Sequence, residues 1–146
     1  MKPSASPVRK LPLIRVLPRS LSATTIGVVR YRFNSATSTL SAEQFGIDTD
    51  IPVHGDYDGD NLEDIAAFRP SEGNWYFHLS GNGAFTGIHW GQEGDVPVPA
   101  DYDGDNLDDV AVYRDGTWYI NNTMAGSSTF PFGLSSDTPI PRKYLP

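Results

Sequence analysis

Two stretches of this chain gather carboxylates at a spacing that suits a hard cation. In Asp56-Tyr57-Asp58-Gly59-Asp60-Asn61-Leu62-Glu63-Asp64, acids stand at positions 1, 3, 5 and 9, and Asp101, Asp103, Asp105 and Asp109 stand in the same way. Calcium takes about six to eight hard oxygens at roughly 2.3–2.6 Å from a pliable cage. A tight loop with alternating acids aims Asp56, Asp58, Asp60 and Asp64 at one centre, and Asp101, Asp103, Asp105 and Asp109 at another. The backbone carbonyl of position 7, Leu62 or Leu107, then completes each shell. The expectation is two Ca2+ sites. Magnesium fits less well because it keeps its waters and seldom accepts an all-protein cage.

A solvated acidic turn is the plainer alternative, but four acids converging from one nine-residue loop repel one another unless a cation screens them. Gly59 and Gly104 relieve crowding where the chain curls, and Asn61 and Asn106 stand where such loops need a left-handed backbone. Unlike an EF-hand, neither loop has a glutamate at position 12 or flanking helices; position 9 runs straight into a strand.

The charge of the whole chain agrees. Residues 1–42 carry seven basic residues and no acid, while residues 43–146 hold all eighteen acids against four bases, a net of −14. A body of this sign repels nucleic acid and attracts cations. No apolar run approaches the roughly 18 residues of a membrane span, so membrane insertion is not expected. There is no cysteine, which excludes thiolate catalysis, disulfides and Cys-ligated zinc. His54, His78 and His89 recur in no second copy and read as strand-face residues rather than ligands or bases. No nucleophile elbow, P-loop or dinucleotide fingerprint occurs, so no enzyme activity is expected.

The elements that must hold the loops are themselves repeated. The second loop begins 45 residues after the first, and the match runs outward from both. Asp50-Ile51-Pro52-Val53 answers Asp95-Val96-Pro97-Val98, and Ile65-Ala66-Ala67-Phe68-Arg69 answers Val110-Ala111-Val112-Tyr113-Arg114. Asn74-Trp75-Tyr76-Phe77 answers Thr117-Trp118-Tyr119-Ile120, and His89-Trp90-Gly91 answers Pro131-Phe132-Gly133. Strands are expected at 64–69 and 109–114, at 75–79 and 118–121, and at about 84–90 and 128–132. The Ile-Pro-Val segments suit an edge strand, since proline cannot donate to a central ladder. Three to four strands per repeat of about 45 residues is the size of a propeller blade. The aromatics at equivalent places, Trp75, Tyr76, Trp90, Trp118, Tyr119 and Phe132, are expected to fill the space between blades rather than bind sugar rings.

The DxDGDxxxD loop followed by an aromatic strand and Trp-Tyr resembles the FG-GAP/VCBS-like repeats of integrin-type β-propellers. Phe45-Gly46, Trp90-Gly91 and Phe132-Gly133 stand at that family's Phe-Gly position. The resemblance covers about residues 28–146 and implies an all-β partial propeller of four-stranded antiparallel blades, with calcium in an inter-strand loop. Residues 1–27 read as an irregular basic leader, because Pro12, Arg15, Pro18 and Arg19 interrupt any signal-like apolar run. A half-blade follows at 28–46, then whole repeats at 47–91 and 92–133 and a closing stub at 134–146. In the stub Arg142-Lys143-Tyr144 replaces the start of the acidic loop.

Propellers typically close with about four to eight blades, so the remaining blades would come from a longer chain or from self-assembly. The expected function is a non-catalytic, calcium-binding scaffold or recognition module with a protein or glycan partner, at the cell surface or outside the cell. The alternative is an ancillary C-terminal segment of a secreted polysaccharide-active enzyme.

Overall fold

The computed structural model describes residues 28–34 and 37–141; the basic leader and its signal-like features lie outside them. All regular structure in the described residues is β. A hairpin of β1 (Val28–Asn34) and β2 (Thr39–Phe45) forms a two-stranded sheet at the place of the expected half-blade. The first repeat follows as β3 (Ile51–Gly55), β4 (Asp64–Arg69), β5 (Asn74–His78) and β6 (Phe85–His89). The second repeat is β7 (Val96–Pro97), β8 (Val110–Arg114), β9 (Thr117–Asn122) and β10 (Gly126–Pro131). Each repeat is a four-stranded antiparallel sheet in simple sequence order, β3-β4-β5-β6 and β7-β8-β9-β10.

The two ladders share one register. Phe68 stands opposite Trp75 and Ala67 opposite Tyr76, as Tyr113 stands opposite Trp118 and Val112 opposite Tyr119. The proline-bearing strands β3 and β7 are sheet edges, where a missing donor costs no ladder bond. β7 is short: it ends at Pro97 and Pro99 follows, and neither proline can donate a ladder bond. Pairing nonetheless continues, with Val98 N–H donating to Ala111 O at 2.8 Å and Ala100 bridging Asp109.

Glycine is indispensable in the turn that opens each third strand. A Cβ on Gly73 would sit 2.2 Å from the Gly91 carbonyl oxygen, and one on Gly116 would sit 2.5 Å from that of Gly133. Both glycines also have positive φ, so no other residue fits without strain.

The sheets pack face to face. Ala66, Phe68, Trp75 and Phe77 of the first repeat meet Val110 and Val112 of the second in one cluster, in which Phe68 and Trp75 are 0% exposed. Trp90 seals its edge, its Nε1–H donating to Tyr119 O at 3.1 Å. The expectation that these aromatics fill the space between sheets holds for Trp75 and Trp90. It fails for Phe132, which is 77% exposed, because no sheet covers that face of the second repeat among the described residues.

Candidate metal centre

Each acidic loop connects the first strand of its sheet to the second, and the ninth residue anchors it. Asp64 and Asp109 are buried at the head of β4 and β8. Asp64 accepts from Tyr57 N–H (2.8 Å) and Ser80 N–H (2.7 Å), and Asp109 from Tyr102 N–H and Thr123 N–H, both 2.8 Å. The first aspartate curls the loop on itself. Asp56 accepts from Gly59 and Asn61 amides, Asp101 from Gly104 and Asn106 amides. Accepting from five residues ahead requires a reversal, and Asn61 (φ 64°) and Asn106 (φ 70°) supply it in the expected left-handed conformation.

The loops close against a second segment that the sequence reading did not single out, the turn after the third strand. Asp58 accepts from Gly81 N–H at 3.0 Å and Asp103 from Met124 N–H at 3.1 Å. Asp60 accepts from the Ser80 hydroxyl at 2.7 Å, and Asp105 from that of Thr123. The available signal was a hydroxyl residue just past each Trp-Tyr strand, at Ser80 and Thr123.

Of the expected ligands, positions 1, 3 and 9 converge. Asp56, Asp58 and Asp64 each offer an oxygen within 4.8 Å of the other two, and so do Asp101, Asp103 and Asp109. Asp60 and Asp105 stand beside these groups, each turning one oxygen to the hydroxyl just named and the other to the amide of Leu62 or Leu107. Leu62 is 57% exposed, which leaves its surroundings open to solvent. None of the three histidines joins either group.

Two oxygens on one calcium at about 2.3–2.6 Å lie at most about 5 Å apart, so the observed separation fits a shared ion. The donors are all hard oxygens, which suits calcium and not a soft-ligand metal. Asp103 Oδ1 is buried and receives no hydrogen bond among the described residues, an orphan that a cation would satisfy. Burial pushes the Asp109 carboxyl above its ordinary range, and the neighbouring Asp103 and Asp105 push it the same way. The Thr123 hydroxyl holds Asp105 below its own. The two loops are therefore preformed cradles of negative charge whose mutual repulsion a divalent ion would reverse.

Residues 56–112, from the first loop through the second, match a family model described as FG-GAP-like repeat. No curated protein and no solved structure matches the chain.

Proposed function

From a chain that carries an FG-GAP-like repeat, we propose a non-catalytic, calcium-binding propeller module that acts as a scaffold or recognition surface outside the cell. The carrying observation is the pair of carboxylate groups, each with three aspartate oxygens within 4.8 Å, repeated on two sheets. Asp56, Asp58 and Asp64 would hold one ion and Asp101, Asp103 and Asp109 the other, with Asp60, Asp105 and the Leu62 and Leu107 carbonyls available to fill the shells. The bound ion supplies positive charge where the acids crowd. The chain's own residues do the rest: Asp64 and Asp109 hold each loop to its second strand, and the amides after the third strand close it from the far side.

Loops this open suit the millimolar calcium found outside cells better than the submicromolar cytosol. No helix among the described residues is long and apolar enough to cross a membrane. The sheet-on-sheet packing of the two repeats supports the propeller reading, in which successive blades share aromatic cores. Calorimetric titration with calcium tests the proposal, paired with melts in calcium and in EGTA. Two ions per chain and a melting temperature that rises with calcium are expected. Heat-silent titration with superimposable melts would overturn it.

A further inference from the structure

The two nine-residue loops differ at one position: Glu63 stands eighth in the first and Asp108 eighth in the second. The residue just before each loop differs as well, Gly55 against Ala100. Both differences fall at a single contact between the repeats. Glu63 turns outward, its side chain 58% exposed and 3.8 Å from His54. Asp108 instead spans the joint. Its carboxylate accepts from Asp56 N–H at 2.8 Å, and its own N–H donates to Asp56 O at 2.7 Å. One residue of the second repeat thus holds both main-chain polar groups of Asp56.

The Asp108 carboxylate fits because residue 55 has no side chain. A Cβ there would lie 2.7 Å from Asp108 Oδ2 and 2.9 Å from Asp108 Cβ. The φ of Gly55 is outside the left-handed region, so close approach and not backbone conformation accounts for the glycine. The tie also joins the two carboxylate groups by a short path. Asp108 sits between Leu107, whose carbonyl faces the second shell in the calcium reading, and the buried Asp109. Asp56 is the first aspartate of the first loop, and its side chain sets the curl by accepting from the Gly59 and Asn61 amides.

Resting on the calcium reading above, we infer that the two loops bind calcium with positive cooperativity and that Asp108 is the positioning residue that couples them. When the second loop is filled, residues 107–109 lose freedom. Asp108 then keeps the main chain of Asp56 where its carboxylate meets those of Asp58 and Asp64. The first loop needs less ordering to bind, and by reciprocity binding there returns the same advantage to the second. Couplings between sites run from about 5- to 150-fold in affinity.

Calorimetric titration with calcium reads the coupling directly. Asp101→Ala leaves the first loop to bind alone, and Asp56→Ala leaves the second. The two-ion association constant of the unaltered chain is expected to exceed the product of these single-site constants by at least about fivefold. Gly55→Ala, which alters no carboxylate, is then introduced into all three chains and should bring that ratio to one. Asp108→Ala should do the same without adding an atom at residue 55. Asp108→Asn keeps an acceptor oxygen for the Asp56 amide and should retain the coupling. In EGTA, hydrogen exchange at the Asp56 amide should be faster in Gly55→Ala than in the unaltered chain, a readout that needs no metal. Two ions bound with a ratio of one overturn the coupling and leave the calcium reading standing. A ratio that persists in both Gly55→Ala and Asp108→Ala overturns the role of Asp108. No heat of binding in any chain overturns the coupling and the calcium reading together.

Discussion

The two repeats have the same ladder register and the same buried aspartate gripped by an arginine, Asp50 by Arg69 and Asp95 by Arg114, yet they differ in what lies against their aromatic face. Trp75 is sealed beneath the second sheet, while its counterpart Trp118 lines an open groove. The loops, by contrast, are tied to each other. Asp108 of the second repeat reaches back to the first loop, its carboxylate accepting from Asp56 N–H at 2.8 Å and its amide donating to Asp56 O at 2.7 Å. Asp108 lies in the second acidic loop, so both loops are part of the joint between sheets. Near-identical sequence thus fixes the internal shape of a repeat but not its burial, which depends on the neighbour it receives.

The comparison breaks first at the tryptophans. Trp75→Ala removes a fully buried indole whose Nε1–H also bonds Trp90 O at 2.8 Å, and should cost about 3–5 kcal/mol in urea unfolding. Trp118→Ala should cost less than half as much; equal losses would mean that the second face is covered in solution. Next come the arginines. Arg69→Ala strands the buried Asp50 carboxylate and should cost about 2–4 kcal/mol, discounting the fraction of the guanidinium that water reaches.

Metal removal should be felt in both repeats. At free calcium a hundredfold above the dissociation constant, each site adds about 2.7 kcal/mol that EGTA abolishes, readable as a shift of the melt. Asp101→Ala should lower the calorimetric stoichiometry from two ions to one, the remaining ion at the first loop. A smaller effect tests the tie between the loops: Asp108→Ala removes a bond across the joint and should cost about 1–2 kcal/mol. It should also weaken calcium binding at the first loop, as titration in the Asp101→Ala background would show. The smallest change is at the loop apices. Asn61→Ala and Asn106→Ala should each cost about 1 kcal/mol for a left-handed alanine, and replacement by glycine should restore the melt.

Much of this molecule could be read from residue order. The 45-residue spacing of the two DYDGDNL segments pointed to three to four strands per repeat, because short runs of β-branched and aromatic residues bounded by turns leave few other arrangements, and the structure has four. The strand ends moved by a residue or two, as where Asp109 proved to be a buried anchor just before β8 rather than its first residue. The convergence of positions 1, 3 and 9 was legible because a tight loop brings near neighbours together. Ser80 and Thr123 were not legible as loop partners, since they arrive from 16 and 14 residues away through a hairpin. The Asp50–Arg69 and Asp95–Arg114 grips escaped for a related reason: each spans 19 residues and is set by ladder register.

What the sequence determined by itself was local: the repeat, the strands, the left-handed asparagines and the clustering of acid. Those features follow from backbone sterics and from charge within a few residues of one another. Only the tertiary structure decided which of two matching faces is buried and that the two loops are tied to one another across the sheets. Such outcomes rest on which surfaces meet, and contact between distant segments leaves no periodic mark along the chain.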